Sequence, residues 1–123
     1  MAADIKSYKD LLVWQQSVEL AVLCYRLSRK FPKADLFGLT SQLRRSSASV
    51  AANIAEGHGR ESSLQFVQFL KIAQGSLKEA ETHIIIAGKL ELGSREDLKQ
   101  ALQMCNDIGK MIRALIRAIQ AKK

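Results

Sequence analysis

The chain has 123 residues, 47% hydrophobic and 25% charged, enough for one domain that buries roughly two thirds of the surface its unfolded form exposes and too apolar for wholesale disorder. Aromatic side chains make up only 6%, with a single proline and a single tryptophan, so an all-β sandwich or barrel has little to build from and helix is expected. Lysine and arginine outnumber acidic residues 19 to 12, and the formal +7 biases the surface toward polyanions without identifying one.

The first ten residues, MAADIKSYKD, read as an arm. They lack a basic stretch followed by an apolar one, so no signal peptide is expected. No run approaches the length that spans a bilayer, so no membrane partner is expected and the cytoplasm is the expected compartment. From Leu11 to about Lys30 the apolar positions Trp14, Val18, Ala21, Val22, Tyr25 and Leu27 recur every three or four residues, the period of an amphipathic helix. Pro32 removes an amide donor and restricts Phe31, so the chain turns there.

A second helix is expected to start between Asp35 and Thr40 and to run to about Glu56, with Leu39, Leu43, Val50 and Ile54 on its apolar side. Its middle, Ser46 to Ala52, is rich in small side chains that let a neighbouring backbone approach closely. Gly57 and Gly59 then read as its terminators, supplying positive φ at low steric cost. A third helix from about Ser62 to Leu90 carries the stripe Phe66, Phe69, Leu70, Ala73, Leu77, Ala80, Ile84, Ala87 and Leu90. Ile84, Ile85 and Ile86 are consecutive and so cannot all face one neighbour. After a short turn, Ser94 is expected to cap a fourth helix whose first turn is acidic and whose apolar positions run from Leu98 to Ile119. The expected architecture is all-α: residues 1–123 form one up-down-up-down four-helix bundle, with an arm at 1–10 and a basic tail at 120–123.

The segments YKDLLVWQQSVELA, FP, FGLTSQLRRSSASVAANIAEGHGR and FLKIAQGSLKEAETH occur in that order between Tyr8 and His83. The chain carrying them resembles the 23S rRNA intervening-sequence proteins, the S23-like bacterial four-helix-bundle family; Ala52 stands where relatives often have proline. The resemblance implies assembly of identical subunits into a ring, five being the favoured number, and an association with nucleic acid. It implies no settled biochemical activity.

Arg44 and Arg45 point about 100° apart on a helix. Arg45 is expected to pair internally, with Glu56 or another carboxylate, and Arg44 to be free for a phosphate. Asn53 and Glu56, three apart, share a helix face and are expected to form a structural polar corner with Arg45, Gly57, Gly59 and Arg60. The two cysteines, Cys24 and Cys105, lie in apolar helical patterns without metal or redox spacing and are expected as buried free thiols. His58 and His83 define no metal spacing. Glu79 and His83, one turn apart, lack the repeated Glu-x-x-His arrangement of a di-iron bundle. GHGR is too short for a phosphate-binding loop, and no G-x-S-x-G elbow is present. No metal, cofactor or catalysis is expected.

A ring of head-to-tail copies needs two different apolar patches per chain. Val13, Trp14 and Val22 on the first helix and Ile84, Ile85 and Ile86 on the third are the candidates. After Asp107 no acidic residue follows, while Lys110, Arg113, Arg117, Lys122 and Lys123 do, and the first three fall within about 60° on a helix. Together with Arg44, these are the candidate phosphate contacts. The expected function is therefore a non-enzymatic oligomeric module that binds nucleic acid with low sequence specificity, RNA ahead of DNA. The competing expectation is an assembly scaffold whose partner is an unidentified protein. No aromatic-rich stacking surface is evident in the sequence.

Overall fold

The computed structural model of the protein describes residues 6–122. Within the expected arm, Ser7 caps a single 3-10 turn, Tyr8–Asp10, and the Asp10 carboxylate in turn accepts from the Ser7 backbone amide. Tyr8 lies edge-on against Trp14, ring centres 5.1 Å apart. Part of the arm is thus ordered by a reciprocal cap and by the first helix; residues 1–5 lie outside the described range.

Helix α1 spans Leu12–Ser28 and buries Val13, Ser17, Leu20, Cys24, Leu27 and Ser28. Beyond Pro32 a 3-10 turn, Lys33–Asp35, leads into a wide five-residue turn, Leu36–Thr40, in which Gly38 takes φ −113°, ψ −109°. Helix α2 spans Ser41–Gly59, α3 Ser63–Lys89 and α4 Arg95–Ala121. Each helix packs on its neighbours in the cycle α1–α2–α3–α4–α1, with the closest packing between α2 and α3. The result is the up-down-up-down bundle, and the seams α1–α2 and α3–α4 lie on opposite sides of it.

The core is a column of aliphatic side chains, including Leu20, Leu27, Leu43, Ile54, Leu70, Leu77, Ile84, Ile108 and Ile112, shared by all four helices. Val13 and Ile84 belong to it, 5% and 0% exposed, so they are not available to a second subunit. Both fall on the inward side of their helices, whereas the adjacent Ile85 and Ile86 point outward. Four buried serines are satisfied within their own helices: the hydroxyls of Ser17, Ser28, Ser46 and Ser47 donate to the carbonyls of Val13, Tyr25, Gln42 and Arg44.

Two boundaries differ from the sequence pattern. Helix α2 passes Ala52 and continues through Gly57 to Gly59, and the left-handed residue after it is Glu61, φ 55°. Gly57 is no terminator but a notch in the α2–α3 seam: a Cβ there would stand 2.5 Å from the Cβ of Phe69. The expected tail is also largely helical, since α4 includes Gln120 and Ala121 and Lys122 is its C-terminal cap. Lys123 lies outside the described residues. Ser62 and Ser94 cap α3 and α4 by accepting from the amides of Gln65 and Asp97.

Candidate nucleic-acid interface

Helix α4 positions its cations by periodicity. Ile108 and Ile112 are buried, while Lys110, Arg113 and Arg117 are exposed. Two cations that the sequence pattern did not single out, Arg95 and Lys99, are exposed on the same helix. At 100° per residue all five lie within about 60°, and at 1.5 Å per residue the row from Arg95 to Arg117 is about 33 Å long. Lys122 is exposed at the helix end.

A second row belongs to α3. Lys71, Lys78 and Lys89 are exposed, fall within about 20° of one another and lie about 40–60° around the helix from Gln74. Gln74 faces α4, its Oε1 lying 3.9 Å from the point where a Gly109 Cβ would stand. The Arg113 guanidinium lies back over the same Gly109, 3.5 Å from that point. The α3–α4 side therefore carries two nearly parallel rows of cations. Carboxylates on or beside it are fewer than the cations: Glu81 accepts from Lys78 at 3.3 Å, Asp107 from Gln103 at 3.0 Å, Glu91 shares a concavity with Arg95 and Lys99, and Glu96 is exposed in the first turn of α4. Three lysines spaced seven and eleven residues apart were readable as one helical row, but nothing local in the sequence shows that α4 lies beside it.

Arg44 is not part of this surface. It lies across the bundle at the α1–α2 seam, half-buried, with its Nε donating to the Ser28 hydroxyl at 2.9 Å and its guanidinium 4.9 Å over the Tyr25 ring. The polar corner also resolves differently from the expectation. Arg45 pairs with Glu79 of α3 and with Gln42, not with Glu56. Glu56 pairs with Arg60 at 2.8 Å in solvent, both about half exposed, and the Arg60 guanidinium lies 5.0 Å over the Phe69 ring. Asn53 donates to the Ser49 carbonyl and hydroxyl, and Ser49 meets Ser76 of α3 at 2.9 Å. There is no single buried corner, because Asn53 and Glu56 find partners one turn away on α2, while Arg45 turns to Gln42 and, across the seam, to Glu79.

Trp14 is half-buried beneath Tyr8, while Val22, Ile85 and Ile86 are 37%, 44% and 40% exposed. His58 lies edge-on against Phe66 at 5.6 Å. His83 presents its Nε2 3.7 Å from Glu79, with both ring nitrogens buried and without hydrogen-bond partners. Cys24 and Cys105 are free and buried. Burial pushes the Cys24 thiol up to about 12, partly offset by a hydrogen bond with Ser47. Cys105 is likewise pushed up to about 12, by burial and then by Cys24 and Glu81, against the pull of Lys78. Among the described residues no group of three or more His, Cys, Asp or Glu side chains could hold a metal ion, and no described helix is long and apolar enough to cross a membrane.

A family model described as 23S rRNA-intervening sequence protein matches residues 9–114. The chain is also similar to the crystal structure of a protein with unknown function from the S23 ribosomal protein family of Bacteroides thetaiotaomicron VPI-5482. The two are 26% identical with a TM-score of 0.78, over 85% of this chain and 98% of that one. No curated protein matches the chain. The chain belongs to the 23S rRNA-intervening sequence protein family.

Proposed function

We propose, with that membership as premise, that the protein is a non-enzymatic, oligomeric cytoplasmic module that binds nucleic acid through its phosphates with low sequence specificity. The observation that carries this reading is the α3–α4 side, where Arg95, Lys99, Lys110, Arg113 and Arg117 run beside Lys71, Lys78 and Lys89 with few carboxylates among them. Neutralising phosphates releases condensed counterions, a gain that depends on charge and not on base sequence. Such a surface accepts RNA and DNA alike. RNA is the first polymer to test because the family name refers to a sequence within ribosomal RNA.

Assembly would multiply the effect. A closed ring of copies, five being the favoured number, repeats the basic side around one axis, and head-to-tail contacts use two unlike patches. The exposed Val22 of α1 and the exposed Ile85 and Ile86 of α3 supply them. These same isoleucines favour the second reading, a scaffold for an unidentified protein partner.

Changing Lys110, Arg113 and Arg117 together to glutamine is expected to preserve helicity and oligomer mass while weakening RNA and duplex DNA binding by a similar factor. The slope of log affinity against log salt should fall by up to about 3, one counterion contribution per lost contact. Titrations at several salt concentrations check this. Unchanged affinity and slope would remove the surface from the function and leave the scaffold reading; loss of the oligomer would reassign the stripe to assembly.

A further inference from the structure

The α1–α2 seam, opposite the two basic rows, has a different chemistry. Tyr25, Leu36 and Phe37 open onto one concavity with Thr40, Ser41, Arg44 and Arg45. Phe37 is 92% exposed, more than any other large apolar side chain among the described residues. Burying a phenylalanine is favourable, and the fold forgoes that gain here although the carrying turn is anchored: it kinks at Gly38 and leads into α2, with Thr40 buried. Tyr25 is 45% exposed, and Arg44, tethered to Ser28, covers part of its ring.

Cations surround these rings. One adjoining concavity joins Tyr25, Arg26 and Arg29 to a largely apolar lining that includes Val22, and another is lined in part by Arg29, Lys33, Leu36 and Arg44. The nearby carboxylates are Asp35 in the turn and Glu79, which Arg45 already engages. Exposed ring faces within a positive surround are what an unpaired nucleic-acid strand requires: bases stack on the rings, and phosphates meet the guanidinium groups. A second copy of the chain fits less well, since each copy carries +7 and this corner is itself basic. An acidic ligand without rings would engage the arginines and leave Phe37 in water.

We propose that this corner is a site for single-stranded nucleic acid, with a base stacked on Phe37, a neighbouring base against Tyr25 and the intervening backbone held by Arg44 and Arg29. The proposal rests on the reading that the protein binds nucleic acid, and it assigns unpaired bases to the side opposite the α3–α4 rows. The surface is not aromatic-rich, as the sequence leads one to expect, but the fold brings two rings, Tyr25 and Phe37, to one concavity with Arg44 and Arg45.

The experiment compares a short unpaired RNA carrying 2-aminopurine with an RNA hairpin of equal charge closed by a non-nucleotide linker, so that no base in it is unpaired, against the wild-type protein, Phe37→Ser, Phe37→Trp and the Lys110/Arg113/Arg117→Gln variant. Stacking on the corner should quench 2-aminopurine with the wild type. Phe37→Ser is expected to weaken binding of the unpaired RNA about tenfold, a size consistent with losing one stacked base, and to abolish the quench. Phe37→Trp should retain both, and hairpin affinity and salt slope should be unaffected by either change. Wild-type binding of the unpaired strand by Phe37→Ser would overturn the corner. So would a loss of oligomer mass in Phe37→Ser, which would make Phe37 a subunit contact. If the wild type binds the hairpin and not the unpaired strand, the corner fails while the proposed function stands; if neither RNA binds, both fail.

Discussion

Helix α3 has two seams that were built by opposite means. Toward α2 the helices meet tightly: Gly57 has no room for a Cβ against Phe69 and Phe66, Ser49 meets Ser76, and Arg45 reaches Glu79. Toward α4 the match is looser. A Cβ on Gly109 would find nothing closer than 3.5 Å, the Oε1 of Gln74 is buried without a partner, and lysines and arginines line the rim. One helix thus devotes one side to close approach and register, and the other to carrying charge outward. A glycine is a requirement in the first setting and a concession in the second.

The largest expected effect breaks the tight seam. Gly57→Ala places a methyl within 2.5 Å of the Phe69 Cβ, which is attached directly to backbone and cannot swing aside. The loss should reach about 3 kcal/mol, the upper part of the usual overpacking range, as read by urea denaturation. Gly109→Ala sharpens the contrast, because it meets only ordinary contacts and gains helix propensity: stability should rise by about 0.5–1 kcal/mol. Equal destabilisation by both substitutions would erase the distinction between the seams.

The cysteines test the core that both seams share. An ordinary thiol ionises at 9.0, whereas Cys24 and Cys105 in the folded protein are held protonated up to about 12. Between those values the unfolded state binds fewer protons than the native one, so stability is full below about pH 9 and falls as pH rises toward 12. The limiting slope is about 1.4 kcal/mol per pH unit for each thiol. Melting curves from about pH 8 to pH 10.5 should show a steeper alkaline loss for the wild type than for a Cys24→Ala/Cys105→Ala variant. Parallel curves would mean that the thiols ionise in the folded state as readily as in the unfolded one.

The smallest expected effect lies at the rim of the tight seam. Glu56→Ala removes a solvent-exposed i,i+4 pair with Arg60 and should cost at most about 0.5 kcal/mol. A loss above about 1.5 kcal/mol in the same denaturation assay would restore Glu56 to a buried polar role.

Much of the bundle was legible in the sequence because helix faces are local facts. The stripes of α3 and α4, the serine cap at Ser94 and the break at Pro32 follow from spacing and side-chain type within a few residues. The parts misread at Gly57 and Arg45 depend on distant residues. A glycine that ends a helix and one that admits a phenylalanine look alike in a sequence, and only the approach of Phe69 separates them at Gly57. Arg45 had several carboxylates within conceivable reach, and its partner Glu79 is 34 positions away. The same holds for the candidate surfaces. The cations of α4 were visible as a row, but Lys71, Lys78 and Lys89 join them only when α3 and α4 lie side by side, and Phe37 shares a concavity with Tyr25 and Arg44 only through the path of the turn before α2.

The two hairpin turns that join α2 to α3 and α3 to α4 each pass through a glutamate in the left-handed region, Glu61 at φ 55° and Glu91 at φ 58°. For a residue with a Cβ that conformation costs about 1–2 kcal/mol. Neither glutamate therefore favours the reversal it occupies, and local support comes instead from the caps Ser62 and Ser94 that follow and, in the second turn, from Gly93 at φ 73°. Chain reversal in this protein is imposed from the helix faces inward: the order of helices around the bundle is written in the packed stripes, and the loops comply with it.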